Sequence, residues 1–421
     1  MKYKYFILTT MIFFVGCSKH PFPSYDYVKD RKEVIASQQE GNLDIDAEFF
    51  ADATISMSGF SSDPNSQYCL FLDDISSIVQ TSFNSSKVKF FRFGKTSMEI
   101  TQPEFLKAKT NSFYTESITN IDEVIKNTKK EKISVIITDL FQDQKNLLAV
   151  VTNLKESCLK KGLSLAVLGI ASEFNGKVYD ANVPPFDYKS DKKDKKTYRP
   201  FYAFMIGDDA YLMKFYNNLA SKNTIYEDKL LLISKNYVKD FKIETVKPKE
   251  SKGLTKKRKD NADQFESSSF WRLSEKSQIF HVLNDISLPA YMPPLTTNNV
   301  TTVIEKRSFD EKLGVFGKPQ LSEDIKQEKI SGNINKFTGF FKTSESFPKG
   351  INSYKIDFII ARDSEVSLPS WVTDFSSDDP TSAKGPNKTL NLDKFISDLI
   401  KASWVVFQPK VSITYLTIEN K

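Results

Sequence analysis

The residues with the clearest chemical potential follow the first predicted strand of the chain. Asp52, Thr54 and Ser56 stand two positions apart, directly after the apolar stretch 47–51. In an extended chain, residues two apart point the same way, so one carboxylate and two hydroxyls can converge on one point. Oxygen donors of this kind suit a hard divalent cation such as Mg²⁺. The spacing therefore predicts a cation site at this position.

Short apolar strands alternate with amphipathic helices around this segment. We predict strands at 47–51, 88–93, 133–138, 163–170 and 200–207. This alternation predicts an α/β fold with a doubly wound, mostly parallel sheet that is covered on both faces. Ligands of such sheets gather at the carboxyl ends of the strands, which is where Asp52 lies.

The motif D-x-[ST]-x-S-M after a first strand resembles the metal-ion-dependent adhesion site of the von Willebrand factor A domain. The resemblance covers roughly residues 44–222. In that family a threonine from a later loop and an aspartate at the end of the fourth strand complete the site. Thr119 and Asp139 match these positions, and Asp139 is expected to act through water. The residues that would hold Mg²⁺, Mn²⁺ or Ca²⁺, or its waters, are Asp52, Thr54, Ser56 and Thr119.

The chain departs from the family pattern at a few positions. Ile55 stands where the family frequently has Gly, and Leu140, not Gly, follows Asp139. The loop before Thr119 holds other hydroxyls that could take its place: Thr110, Thr115 and Ser117. A plainer interpretation also stands, because Asp and Ser after a strand are ordinary cap and turn residues.

Several classes of chemistry are disfavoured by composition. The 421 residues include only His20 and His281, so a catalytic triad or an imidazole-rich zinc site would depend on His281, which stands among apolar residues. None of the 15 glycines forms a dinucleotide-binding or P-loop motif. The formal net charge is +6, or +4 without Lys2 and Lys4 of residues 1–16, which is too small to favour nucleic acid as a partner.

Residues 1–16 have the pattern of a signal peptide. Lys2 and Lys4 precede an apolar run that is too short to span a bilayer. The end of this run, with a small residue before Cys17, resembles the lipobox of bacterial lipoproteins. The resemblance implies a lipid on Cys17 and a place in the bacterial cell envelope, and Ser18 favours the outer membrane. The alternative is an ordinary secretory signal in which Cys17 is incidental.

Changes of pattern suggest the domain boundaries. The basic run 247–260 resembles a linker, and beyond it the predicted elements are mostly strands, with one amphipathic helix around 392–400. We therefore expect a β-rich, sandwich-like second domain whose core includes Trp371 and Trp404. The expected divisions are a signal peptide 1–16, a tether 17–43, a von Willebrand A-like domain 44–224, a linker 225–262 and a β-rich domain 263–421.

The two remaining cysteines are expected to stay apart. Right-handed crossovers place the helix after the first strand and the helix after the fourth strand on opposite faces of the sheet. Cys69 and Cys158 belong to these two helices. They would then lie too far apart for a disulfide, so we predict two buried free thiols.

Together these features predict a membrane-anchored binding lipoprotein and not an enzyme. Its divalent cation would capture an Asp or Glu of an envelope or extracellular protein. One alternative is a metal-dependent envelope hydrolase, nuclease-like or phosphatase-like, in which Asp52, Asp139 and Asp143 hold the metal and activate water. A second alternative is a metal-free structural lipoprotein. Thr54 and Ser56 favour binding, because such hydrolase sites gather three or more acids.

Overall fold

The computed structural model describes most of the chain. The described residues are 25, 27–32, 34, 35, 43–126, 128, 129, 131–140, 144–179, 184–246, 253–258, 268–274, 277–379 and 386–421. The predicted signal peptide, Cys17, most of the predicted tether and Asp143 lie outside them. No helix within the described ranges is long and apolar enough to cross a membrane.

The first part of the chain alternates between helices and strands. Its elements are α1 (Tyr27–Lys32), β1 (Asp46–Asp52), α2 (Gln67–Ser82), β2 (Val88–Phe93), β3 (Ser97–Ile100), α3 (Gln102–Phe105), α4 (Ile121–Lys126), β4 (Lys132–Thr138), α5 (Gln144–Ser157), β5 (Ser164–Ser172), β6 (Asn175–Val178), β7 (Phe186–Lys189), β8 (Arg199–Gly207), α6 (Asp209–Ala220), β9 (Leu230–Ile233) and β10 (Asp240–Val246).

The second part consists mainly of strands. Its elements are β11 (Leu254–Arg258), β12 (Ser268–Leu273), β13 (Ile279–Ser287), β14 (Val300–Asp310), β15 (Val315–Phe316), β16 (Gln320–Leu321), β17 (Ile325–Asn333), β18 (Lys336–Thr343), β19 (Gly350–Ile360), α7 (Ser370–Phe375), β20 (Ser376–Ser377), β21 (Thr389–Leu390), α8 (Leu392–Phe407) and β22 (Lys410–Asn420).

A seven-stranded sheet in the order β3-β2-β1-β4-β8-β5-β9 organises the first part. Strand β1 runs parallel to both β2 and β4, whereas the other four pairings are antiparallel. The α/β architecture and the later β-rich region agree with the sequence-based expectation. The sheet is parallel around β1 and mixed as a whole, because β8 returns between β4 and β5. Strand periodicity alone does not reveal this placement.

Helices cover both faces of this sheet. Phe49 of β1 packs on Phe215 of α6, with ring centroids 5.7 Å apart. Its neighbour Phe50 pairs in register with Ile136 of β4, and Ile136 lies among side chains of α4, α5 and α8. Since successive strand residues point to opposite faces, these two helix groups lie on opposite sides. Burial on both sides explains why β4 and β8 are almost continuously apolar.

The C-terminal helices belong to this α/β layer and not to the β-rich core. Phe395 of α8 packs on Phe204 of β8, with ring centroids 5.7 Å apart. Trp371 of α7 lies against β5 at Gly169, where an added Cβ would stand 2.6 Å from the indole ring. The assignment of Trp371 to the core of the β-rich domain therefore needs correction. An amphipathic pattern shows which helix face is buried, but not which sheet covers it.

Two sheets form the β-rich part. One has the order β10-β13-β18-β17, and the other has the order β11-β12-β22-β19-β14-β15, with β16 on β14. They pack face to face where Phe358 of β19 meets Phe337 and Phe341 of β18, at ring distances of 5.6 and 6.0 Å. The alternating patterns predicted at 354–360 and 411–415 are strands, β19 and β22.

Segments assigned to the tether and linker take part in the packed structure. Strand β9 closes the edge of the first sheet, and β10 joins the four-stranded sheet, although both fall within the predicted linker. In the predicted tether, Val34 is fully buried. Asp30 of α1 accepts a hydrogen bond from Tyr415 (2.5 Å) and pairs with Lys355 (3.4 Å). Polar side chains make the contacts of Asp30, so low apolar periodicity concealed them. Strands β9 and β10 do carry buried apolar residues, and the predicted boundary left them out.

Both described cysteines are buried and free, as expected. Cys69 lies on α2, and Cys158 directly follows α5. These helices belong to the two groups on opposite sides of the sheet.

The contact between Gly169 and Trp371 yields the first prediction. Gly169→Ala inserts a methyl group where the indole ring already lies, so overpacking should lower the free energy of unfolding by about 1–3 kcal/mol. Gly317→Ala is the matched control, because its Cβ would meet only the Ser308 carbonyl oxygen at 3.6 Å. Urea denaturation measures both. Equal stability of the two variants would contradict the described seating of α7 on β5.

Candidate functional site

Asp52 stands at the end of β1 and is completely buried. Its Oδ1 accepts hydrogen bonds from the Thr54 backbone N–H (3.0 Å) and from Thr54 Oγ1 (2.7 Å). Thr54 Oγ1 in turn lies 3.1 Å from Ser56 Oγ. The three predicted oxygen donors are therefore neighbours.

The convergence of these donors has a different local cause from the one predicted. Only Asp52 lies in the strand, and Ser56 belongs to a 3-10 helix, Ile55–Ser61, which begins after the extended residue Thr54. The Ser56 hydroxyl is thus brought back by a helical turn and not by strand alternation. Phe174 and Gly176, around the start of β6, pack on this helix at Gly59, where an added Cβ would stand 2.4 Å from the Phe174 ring. A larger residue there would displace the segment that carries Ser56.

The loop that carries Thr119 is hydrogen-bonded to the segment after β1. The Thr115 and Glu116 N–H groups donate to the Ala53 carbonyl (3.0 and 3.1 Å), and the Ile55 N–H donates to the Glu116 carbonyl (2.9 Å). Thr119 Oγ1 then lies 3.3 Å from Asp52 Oδ2 and 3.3 Å from Thr54 Oγ1. The structure thus brings Thr119 to the cluster.

The other hydroxyls of this loop have different partners. Thr115 Oγ1 accepts a hydrogen bond from Arg92 (2.7 Å), and Thr110 Oγ1 donates to the Lys107 carbonyl (2.7 Å). Ser117 is exposed. Thr119 is therefore the hydroxyl of this loop that contacts Asp52.

Thr138 contacts the same carboxylate and was missed by sequence reasoning. Its Oγ1 donates to Asp52 Oδ2 at 2.8 Å, and it also accepts from the Leu140 N–H at 3.2 Å. The parallel register pairs Ala51 with Ile137, which places Thr138 level with Asp52. The sequence shows a hydroxyl at the end of an apolar strand, but it does not give the register of that strand against β1.

Asp139 completes the group of predicted residues. It is largely buried, and its negative charge is close enough to raise the pKa of Asp52. Leu140, which follows it, has a φ of 58°, a conformation that favours glycine and is strained for a branched side chain. The resemblance had marked this as a position where the family has Gly. In this chain the strained position holds Leu140. Its buried side chain packs in an apolar cluster between β4 and α5.

The electrostatics of the cluster are dominated by burial. Loss of solvent raises the pKa of Asp52 from 3.8 to about 7, and the Asp139 charge adds to the rise. Hydrogen bonds from Thr54 and Thr138 oppose it. Within the described part of the chain, no Lys or Arg forms an ion pair with Asp52. Negative charge therefore accumulates at the carboxyl ends of β1 and β4 without a protein cation on Asp52.

This donor set fits a hard cation. Two carboxylates and the Thr54, Ser56 and Thr119 hydroxyls are oxygen ligands of the kind that Mg²⁺ prefers. The described residues contain no cluster of three or more His, Cys, Asp or Glu, so an ion here would depend on hydroxyls and water as much as on carboxylates. His281 does not belong to this cluster. It packs on Phe340 in the β-rich part, with ring centroids 4.5 Å apart.

Two exposed apolar side chains belong to the loops around the cluster. Ile55 follows Thr54, and Ile118 precedes Thr119; both are substantially exposed. Each is thus one residue away from a hydroxyl of the cluster. A partner that approached Asp52 could bury these side chains at the same time.

Comparison with known proteins adds no assignment. No protein-family model matches the chain. No curated protein matches it, and no solved structure matches it.

The raised pKa of Asp52 predicts how stability depends on pH when no divalent cation is present. Between pH 3.8 and about 7 the folded state holds a proton that the unfolded chain releases, so stability falls as the pH rises through this window. Above pH 7 the cost is complete and amounts to at most about 4 kcal/mol. Asp52→Asn removes the charge, and the Thr119 and Thr138 hydroxyls can rotate to accept from the new amide.

The variant should therefore melt at a higher temperature than the wild type at pH 8 in EDTA. The difference should shrink or reverse near pH 3, below the ordinary pKa of 3.8, where the wild-type carboxyl is mostly protonated in both states. Thermal melts across this pH range measure the effect. An Asp52→Asn variant that is less stable than the wild type at every pH would contradict the buried, uncompensated charge.

Proposed function

We propose that the seven-stranded sheet and the helices on its two faces form a von Willebrand A-like domain whose adhesion-type site binds Mg²⁺. Asp52, Thr54, Ser56 and Thr119 would hold the ion or its waters, with Asp139 acting through water. The chain would be a lipoprotein that is anchored through Cys17 in the bacterial cell envelope, at the outer membrane. The later strands would form a sandwich-like second domain.

One observation carries the proposal. A fully buried carboxylate, Asp52, is surrounded by hydroxyls from separate segments, and no described basic side chain pairs with it. Burying an unpaired charge costs several kcal/mol. A protein that retains such a charge at the carboxyl edge of parallel strands gains most when a cation binds there. The hydroxyl content favours binding over hydrolysis, as the motif does.

The partner is expected to be an envelope or extracellular protein that presents an Asp or Glu side chain. Bound Mg²⁺ would supply a positive charge with a coordination position for that carboxylate. The exposed Ile55 and Ile118 side chains would add apolar contact beside it. The bound cation would thus supply the positive charge that attracts the partner, and the surrounding loops would supply selectivity for it. This division of roles needs no catalytic group.

The direct test is a thermal shift with Mg²⁺, Mn²⁺, Ca²⁺ and EDTA. A cation at 100 times its dissociation constant stabilises the folded state by about 2.7 kcal/mol. The wild type should show this shift, and Asp52→Ala should lose it. Thr119→Ala should weaken it, whereas Ser117→Ala, which removes an exposed hydroxyl from the same loop, should leave it unchanged.

Partner capture is measured by crosslinking pull-down from envelope fractions in Mg²⁺ and in EDTA. The expected result is a protein that is retained only with Mg²⁺ and is lost with Asp52→Ala. A chain that shows neither an ion-dependent shift nor an ion-dependent partner would be the metal-free structural lipoprotein. A shift accompanied by phosphodiester or phosphomonoester hydrolysis would instead favour the hydrolase.

A further inference from the structure

An apolar hairpin extends from the edge of the larger β-rich sheet. It comprises the end of β14, the turn 311–314, β15 and β16, and we call residues 305–321 the edge hairpin. Both β15 and β16 pair with β14. Leu313, Val315 and Leu321 are 73%, 54% and 79% exposed. Elsewhere in the described chain, exposed large apolar residues occur singly or in pairs.

Three apolar side chains of the edge hairpin lie on one of its faces, whereas Val315 pairs with Asp310 and lies on the other. Phe309 and Phe316 are cross-strand partners with ring centroids 5.1 Å apart. Leu321 pairs with Glu305, and cross-strand partners share a face. Because residues 305, 307 and 309 alternate with their neighbours along β14, Leu321, Phe309 and Phe316 lie on the face that carries Arg307.

The N-terminal segment is attached to this same face. The Arg307 guanidinium lies 4.6 Å from the ring centroid of Tyr25, and Tyr25 also packs on Tyr415 at 5.0 Å. Phe309 is two strand positions beyond Arg307, a distance of about 7 Å. Tyr25 is therefore fixed beside the apolar part of the edge hairpin.

Chain length limits how far this face can be from Cys17. Eight residue steps separate Cys17 from Tyr25, and a fully extended chain spans at most about 29 Å over that number. Leu313 stands about 20 Å along the hairpin from Arg307, at 3.4 Å per residue. A lipid on Cys17 can be at most about 29 Å from Tyr25. The hairpin tip, about 20 Å from Arg307, therefore lies within reach of that lipid.

We propose that the edge hairpin docks on the surface of the membrane that holds the lipid of Cys17, with Leu313 at the tip and Leu321 on the face that carries Arg307 entering the interface. This inference rests on the lipid anchoring proposed above, and not on the metal site. The exposed Lys312 and Lys318 can contact anionic head groups, but Asp310 and Glu311 offset them. Apolar insertion, and not charge, is therefore the main contribution.

The proposal gives the β-rich part a role. A lipid alone holds a protein on a flexible spacer, whereas a lipid together with a protein contact fixes its orientation. Because Tyr25, Asp30 and Val34 are attached to the body, at most the eight residue steps from Cys17 to Tyr25 separate lipid and protein. The chain would thus meet the membrane in one defined orientation.

Introduced tryptophans test the contact directly. The full lipoprotein, carrying Leu313→Trp or Leu321→Trp, is reconstituted in phosphatidylethanolamine–phosphatidylglycerol vesicles whose acyl chains are brominated. Trp271, Trp371 and Trp404 are buried, so the new residue supplies the lipid-accessible emission. Both variants should lose emission through bromine quenching and shift to the blue. Met98→Trp, at a 54% exposed site on β3 of the first sheet, is the matched control and should show neither effect.

The outcomes separate the anchor from the hairpin. Flotation with the vesicles and mass spectrometry of an acylated Cys17 report the anchor. If the protein floats but neither hairpin tryptophan is quenched, docking is overturned while anchoring stands. If Cys17 is not acylated or the protein does not float with the vesicles, the premise of lipid anchoring fails, and the docking proposal fails with it. A blue shift without vesicles that grows with protein concentration would assign the hairpin to a second copy of the chain. None of these results depends on Mg²⁺, so the metal proposal is judged separately.

Discussion

The buried carboxylate of Asp52 is the interaction on which the first part of the structure depends. Removing a charge from water is costly, and the chain offsets the cost with hydroxyl and N–H donors from β1, β4 and the Thr119 loop. These three segments must therefore keep relative positions that preserve these hydrogen bonds. The parallel pairing of β1 with β4 does this by setting Thr138 level with Asp52. The strained backbone at Leu140 occurs where the same strand leaves the site.

A second constraint is that helices of each half of the chain pack on a sheet of the other half. Helix α8 follows the β-rich strands in sequence but packs on the α/β sheet through Phe395, and Trp371 does so at Gly169. In the opposite direction, α1 precedes the α/β sheet but binds β19 and β22 through Asp30. The ends of the chain thus interlock the two parts. For this reason, boundaries drawn from local composition did not coincide with the packed units.

This interlocking also relates the two proposed contacts of the protein. The polar cluster at the carboxyl edge of β1 and β4 and the apolar edge hairpin of β14 differ in chemistry, one suited to a cation and the other to lipid. Because α8 and α1 tie their sheets into one packed body, a hairpin fixed at the membrane would also fix the direction in which the cluster faces. A binding protein at a membrane surface gains from such a fixed presentation, since less orientational freedom is lost when the partner binds.

Much of the site could be predicted from the sequence, because its signals are local. The spacing of Asp52, Thr54 and Ser56 after an apolar run, and Asp139 after another, marks strand ends that carry oxygen donors. Thr119 came from the family resemblance, and the structure selects it among the hydroxyls of its loop. The alternating α/β order and the free thiols also followed from local pattern and handedness. The contact of Thr138, the antiparallel β8 and the seating of α8 depend instead on strand register and long-range packing. Periodicity shows that a face is buried, and only the tertiary structure decides against what, because that choice is made between segments far apart in the chain.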